Sequence, residues 1–291
     1  MKYTYATLIA ALAASANAHG VITQIQGANG VTMPGLSVID GTPRDCATPA
    51  CGSETDTSII RAKELGTAKA SALGRTKAGP VDAAKAIASF MGTGTAAPAG
   101  ANKRGLLDGL TGGGAAKGAG GAAGATGAGT KTAKGTKEQG VSKAAGSGAS
   151  SGLPTCGDDG SITMTFHQVN QDGAGPLTAA IDPTSGGTDP TAFKDAQVTT
   201  NVPGLGIGGL SAATTTDFPV KVQMPAGMTC SGSVGGVDNV CIVRLQNSAL
   251  AGPFGGSAAF TMSAGAKKRA VEFNLRKRHM ARGLLGKAEM E

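Results

Sequence analysis

Between Gly92 and Gly152 the chain has almost nothing to bury. That stretch holds much of the chain's excess of glycine, 48 residues in all, and is otherwise Ala, Ser and Thr with scattered lysines. Such a segment cannot offset the entropy of ordering its own backbone. It has no fixed period, so it does not read as a packed repeat. The expectation is a flexible insert over 92–152 that interrupts a single domain rather than a domain of its own.

On either side the pattern differs. From Ser161 to Val169 the text SITMTFHQV puts Ile162, Met164 and Phe166 on one face and Thr163, Thr165 and His167 on the other, as in a half-buried strand. LTAAI, AQVTTNV, FPVKVQM, VCIVRLQ and SAAFTMS follow, separated by turns such as QDGAG, DPTSGG and NVPGLGIGG. Near the start, HGVITQIQG supplies a further strand, with Val21, Thr23 and Ile25 read on one face. Many short strands punctuated by turns predict a mainly β fold, a β-sandwich formed by 19–60 and 153–264. Over 61–91, SIIRAKELGTAKASAL and PVDAAKAIASFM carry apolar residues at helical spacing, so short helices are expected, the second starting near Pro80.

The first eighteen residues read as a secretory signal peptide: Lys2, an apolar run from Ala6 to Ala14, then Ala16-Asn17-Ala18 before the cut. The expectation is a secreted, extracellular protein. No later segment approaches the roughly 20 apolar residues that span a bilayer, so no membrane span is expected. Tyr3 and Tyr5 leave with the leader and there is no tryptophan, so aromatic packing rests on phenylalanine. Five cysteines suit an oxidising compartment. Cys230 and Cys241 flank a turn-rich loop and are expected to pair; Cys46, Cys51 and Cys156 leave one odd thiol.

The formal charge of +7 is a property of the tail. Losing Lys2 leaves +6, and eight Lys/Arg against three Glu in 267–291 account for +5 of that. The folded part is therefore near neutral, which argues against nucleic acid as a partner. The tail, 265–291, contains Lys267-Lys268-Arg269 and Arg276-Lys277-Arg278, which resemble dibasic processing sites, and if retained it suits a basic amphipathic helix.

The chain has only three histidines, His19, His167 and His279, and the last lies in the tail. Cleavage after Ala18 would make His19 the amino terminus, offering an α-amine and an imidazole from one residue. His167, on the polar phase of its strand, is the expected third nitrogen. Planar amine and imidazole donors favour Cu(II) by geometry and by the divalent affinity order. One copper ion held by His19 and His167 is the expectation.

These residues carry a resemblance. A chain starting His19-Gly20 with a second histidine before a Gly-x-Gly-Pro turn (His167-QVNQDGAGP) resembles the lytic polysaccharide monooxygenases, copper enzymes with an immunoglobulin-like sandwich. The strings HGVITQIQGANGVTMPGLSVIDGTPRDC, CGSETDTSIIR, FHQVNQDGAGP and NVCIVRLQNSALAGPFGGSAAF are similar more specifically to the fungal Egh-type, Gas-like appressorium-associated surface proteins tied to virulence. The resemblance covers about 19–60 and 153–264. It implies His19 and His167 as a histidine brace, Phe260 as the axial aromatic with Phe254 as its rival, and Gln246 as a polar neighbour of bound oxygen or water. Asp172 and Arg244 are further polar candidates, and Gly173, Gly175 and Pro176 shape a turn. The implied function is a copper-dependent monooxygenase acting on a cell-wall or cuticle polysaccharide. The other reading is a non-catalytic adhesin or effector binding a wall or host surface component. The lack of Tyr and Trp after the leader removes the flat rings with which such enzymes stack on sugars.

Overall fold

The computed structural model describes residues 19–94, 129–204 and 211–288. The predicted signal peptide, residues 95–128 of the insert and part of the NVPGLGIGG turn lie outside the described residues.

Thirteen antiparallel strands form one continuous sheet folded on itself: β1 (Gly20–Gln26), β2 (Thr32–Pro34), β3 (Ser58–Ile59), β4 (Arg75–Thr76), β5 (Gly79–Pro80), β6 (Thr130–Lys131), β7 (Ser161–Gln168), β8 (Thr178–Asp182), β9 (Lys194–Thr200), β10 (Thr216–Gln223), β11 (Gly232–Val234), β12 (Val237–Gln246) and β13 (Phe254–Thr261). The spatial order is β2-β1-β7-β10-β9-β8-β12-β13-β3-β4-β5, with β6 on β10 and β11 on β12. β9 turns the corner: Lys194 to Ala196 pair with β8, and Gln197, Val198 and Thr200 with β10. The mainly β expectation is met.

The alternation in β7 does what it predicts, since Ile162, Met164 and Phe166 are buried in the central core. Ile22, Val220 and Val222 from the neighbouring strands β1 and β10 join them in that core, with Ile181, Ile242, Leu245 and Phe260 from β8, β12 and β13. The second corner is tight. Gly256 packs so closely on β1 that an added Cβ would lie 2.9 Å from the Ile22 nitrogen. Leu36 N–H donates to Ser257 O at 2.8 Å and Gly35 N–H to Thr23 O at 3.0 Å, which ties β1 to β13.

Three expectations need correction. In β1 a bulge between Ile22 and Gln24 breaks the period, so Val21, Thr23 and Ile25 do not share a face; Val21, Ile22 and Ile25 are buried and Thr23 is not. SIIRAKELGTAKASAL forms no helix. It runs as β3, turns and isolated bridges, with Gly66 and Gly74 at positive φ where a helix would have to continue. The helix beyond it is α1 (Ala83–Met91), capped by the Asp82 carboxylate on Lys85 N–H at 3.0 Å; Pro80 belongs to β5.

The third correction concerns the insert. Residues 129–152 are folded onto the sandwich through β6, α2 (Gly140–Ala144) and α3 (Gly148–Ser151). Gly148 packs on Phe90 and Met91, where a Cβ would meet the Phe90 ring at 2.6 Å. Arg44, 4% exposed, does the fastening. Its guanidinium donates to both oxygens of Asp56 (3.0 and 2.6 Å) and to Glu138 Oε2 (3.0 and 2.7 Å). Glu138 N–H also donates to Thr42 O, and Arg44 N–H to Thr136 O. A strap with little apolar surface is held by charge and backbone hydrogen bonds instead.

The cysteines resolve as Cys46–Cys51 and the expected Cys230–Cys241 bridge, with Cys156 a buried free thiol. The tail is helical, α4 (Ala264–Ala288), and no described helix is long and apolar enough to cross a membrane.

Candidate functional site

His19 and His167 lie on adjacent segments of the β1–β7 ladder, two registers apart. Gly20 pairs with Gln168 and Val21 with His167, and Val169 N–H donates to His19 O at 3.0 Å. His19 thus continues the ladder opposite Val169 and shares the pleat phase of His167. Diagonal neighbours of this kind have Cα atoms about 7–8 Å apart.

Their side chains are held differently. The His19 ring lies against Phe254, with centroids 4.3 Å apart and planes at 40°. Its Nδ1 is 3.1 Å from Glu54 Oε1, and its main-chain nitrogen donates to Asn170 Oδ1 at 2.7 Å. Asn170 Nδ2 also donates to Glu54 Oε1 at 3.4 Å, so one loop amide steadies both. Glu54 is buried, and burial, the largest cause, pushes its carboxyl above the ordinary value; Lys77 pulls it down and Asp172 pushes it up.

His167 was expected at the surface, on the polar phase of its strand. It has no exposure at all. β7 is a central strand between β1 and β10, and beside it Thr165, Asp217, Arg44, Thr132 and Glu138 line a polar cleft. His167 Nδ1 is 2.7 Å from Oδ1 of Asp217, its cross-strand partner on β10. Its Nε2 is buried with no hydrogen-bond partner. In the neutral ring, a carboxylate on Nδ1 makes that nitrogen the donor and leaves a lone pair on Nε2.

The loop after β7 supports this end of the sheet. A Cβ on Gly173 would lie 2.0 Å from His19 O, so glycine is what lets Asn170–Gly173 wrap the start of β1. Gly175 is as closely seated on Val202 O, and Pro176 follows it. Asp172 sits near enough to act on the Glu54 carboxyl.

Phe260 and Gln246 do not join the group. Phe260 is fully buried opposite Cys241, six residues along β13 from Phe254, about 20 Å at strand rise. Phe254, at the end of β13, is the aromatic neighbour of His19. Gln246 pairs with Gly255, whereas the adjacent pair Leu245–Gly256 faces Ile22 of β1. Neighbours on a strand point opposite ways, so Gln246 faces away from His19. Arg244 likewise serves the far face, donating to Ala72 O and lying 4.2 Å over the Phe193 ring.

Glu54, Asn170 and Asp217 were not singled out from sequence. The signal for Glu54 is the run SETDTS, in which Ser53, Glu54, Asp56, Thr57 and Ser58 are all buried despite their polarity. Among the described residues no group of three or more His, Cys, Asp and Glu side chains is placed to hold a metal ion. The nitrogens available to one are the His19 main-chain nitrogen, once freed, His19 Nδ1 and His167 Nε2. The lone pair left on buried Nε2 fits that donor set.

Comparison with known proteins gives a consistent family. Residues 17–255 match the family described as Egh16-like virulence factor. The chain is 62% identical, over 98% of its length and 97% of the relative's, to the appressoria-specific virulence factor GAS2 of Pyricularia oryzae. It is 40% identical over 121 residues, 42% of this chain and 47% of the relative, to the appressoria-specific virulence factor GAS1 of the same organism. No solved structure matches.

Proposed function

Since this chain belongs to the Egh16-like virulence factor family, we propose that it is an exported copper protein acting at the cell wall or host surface during infection. Export is supported by the leader-like residues before His19 and by two disulfides. The single observation that carries the copper reading is the state of His167. A buried imidazole with its Nδ1 on a carboxylate and its Nε2 without a partner is the arrangement of a histidine ligand oriented from behind.

In this reading His167 presents Nε2 and Asp217 fixes its tautomer and ring plane. Asn170 holds the His19 main-chain nitrogen in place, and Phe254 packs against one face of the His19 ring. Glu54 puts a carboxylate beside the His19 donors, compensating added positive charge. Bound copper would supply one-electron chemistry toward oxygen or peroxide. The substrate implied by the resemblance to polysaccharide monooxygenases is a wall or cuticle polysaccharide.

One observation favours a second, non-catalytic reading. The His19 side chain is 13% exposed and His167 is not exposed, while Tyr and Trp are absent from 19–291. Such a site offers a polymer little surface to lie on, and suits a surface protein that carries copper without turning over.

Calorimetric titration of Cu(II) into the chain beginning at His19 tests the copper reading. Micromolar or tighter binding is expected, lost in His19→Ala, in His167→Ala and in a chain retaining Ala18. Unchanged affinity in these variants would overturn it. Peroxide generation with a reductant, and oxidised oligosaccharides that disappear with a chelator, separate the enzyme from the carrier.

A further inference from the structure

The chain carries the dipeptide Lys-Arg twice in its basic tail, at Lys268-Arg269 and Lys277-Arg278. To a protease that reads paired basic residues the two are chemically alike. The structure separates them.

The first lies in a docked helix. Ser263 Oγ caps α4 by accepting Ala266 N–H at 3.1 Å while bonding Asp158 Oδ1 at 2.7 Å. Ala266 and Ala270 are buried against the sandwich, so the backbone on both sides of Arg269 is pinned. Arg269 itself donates to Asp158 O at 3.2 Å. One turn further on, Asn274 Nδ2 donates to Gly227 O at 3.0 Å, and the Phe273 ring abuts Gly227. Cleavage after Arg269 would require this whole contact to come away, because an endoprotease takes its substrate extended across several residues.

The second lies beyond the last of these contacts. From Leu275 to Met280 every residue is exposed. An isolated helix of this length is marginal in water, since most helical stability comes from packing rather than propensity. Opening here costs far less than at Arg269, and local opening is what exposes a backbone to proteolysis.

We infer that Lys277-Arg278 is a maturation site for a dibasic-specific endoprotease of the secretory pathway, and that Lys268-Arg269 is a protected decoy. Water adds across the Arg278–His279 peptide bond, leaving a carboxylate on Arg278 and an amine on His279. The mature tail then ends at the docked part of α4. The released segment 279–291 has two basic and two acidic residues and so carries no net charge; trimming Arg276 to Arg278 afterwards would remove +3. In the cell this rests on the export proposed above; the susceptibility of the bond does not.

The test uses the purified chain carrying Lys103→Gln/Arg104→Gln, which removes a third Lys-Arg pair outside the described residues, native and urea-unfolded, with a Lys-Arg-specific endoprotease and intact-mass readout. The native chain should lose 279–291 in one step and then resist. Lys277→Gln/Arg278→Gln should abolish cleavage, and Lys268→Gln/Arg269→Gln should leave it unchanged. The unfolded chain should be cut at both sites, which shows that Lys268-Arg269 is chemically competent. First cleavage after Arg269 in the native chain, or none, would overturn the assignment. Protein collected from culture medium should end at or before Arg278; an intact tail there would overturn the maturation role. Retention inside the cell would count against export alone, with cleavage in vitro still deciding the site.

Discussion

Asp217 and His167 face each other directly across the β10–β7 ladder, and the carboxylate meets the imidazole Nδ1 at 2.7 Å. The partners differ in burial: the Asp217 side chain is 41% exposed and that of His167 is not exposed. The carboxylate reaches in from the cleft beneath the strap, so the histidine is oriented from the side opposite its free Nε2.

Asp217→Ala should therefore weaken copper binding and, by leaving the buried Nδ1 without its acceptor, also cost about 1–3 kcal/mol of stability. Loss of a carboxylate behind a ligating histidine typically weakens metal binding about 10–100-fold. A calorimetric Kd raised within that range, measured where both chains are folded, is the expected result, together with a lower urea midpoint. Equal affinity for both chains would show that Nε2 of His167 is not a ligand.

Arg44 links three segments that are distant in sequence, and Asp56 has no exposure. Removing one partner of a buried ion pair leaves an uncompensated charge, which costs about 3–5 kcal/mol. Arg44→Met should lower unfolding free energy by that order in urea titration. Glu138→Gln keeps an acceptor for Arg44 and should cost much less. Hydrogen exchange at Glu138 N–H, which bonds Thr42 O, should accelerate in both before exchange in β7 does. A strap that stays protected in Arg44→Met would mean that its backbone bonds suffice.

Glu54 gives a pH dependence with a definite sign. Burial raises its carboxyl above the ordinary value of 4.5. The native state then holds a proton that the unfolded state has released, so this group's contribution to stability is full in acid and is lost as pH rises through the raised value. Glu54→Gln should be more stable than wild type at neutral pH, with the gap closing as pH falls toward 4.5. Urea titrations across that range check it; a gap that is constant, or widest in acid, would contradict the assignment.

How far the sequence reaches is visible in β7. The period-2 pattern places Ile162, Met164 and Phe166 in the core, because strand pleat is a local property. The same pattern puts His167 on an exposed phase, and there it fails. The cleft beside it, lined by Thr165 and Asp217, is walled by 132–140, part of a polar strap that Arg44 ties down through Glu138 across 94 positions of sequence. No periodicity encodes a wall of that kind. The helical spacing in SIIRAKELG failed for a related reason: β13 offers an edge to Ser58 and Ile59, and sheet pairing overrides a weak helical preference. That the strands carrying Gly20 and His167 lie side by side is a matter of register, with Val21 opposite His167, which no local pattern in either strand dictates. Glu54 was not legible either, since its neighbours come from an irregular loop.

The two phenylalanines of β13 make the sharpest separation between site and scaffold. Phe260 is fully buried in the core, so Phe260→Ala should cost about 3–5 kcal/mol in urea titration. Copper affinity of the chain that remains folded should not change, because Phe260 lies about 20 Å along β13 from Phe254, the residue that touches His19. Phe254 packs on the His19 ring at 4.3 Å within a small cluster with Ala249. Phe254→Leu roughly conserves apolar volume and should cost less than about 1.5 kcal/mol. Yet it takes away the flat surface that sets the His19 ring plane, so copper affinity, and the EPR spectrum of the bound ion, should shift. If instead Phe260→Ala alters the copper spectrum and Phe254→Leu leaves it untouched, the aromatic neighbour of the site has been misassigned.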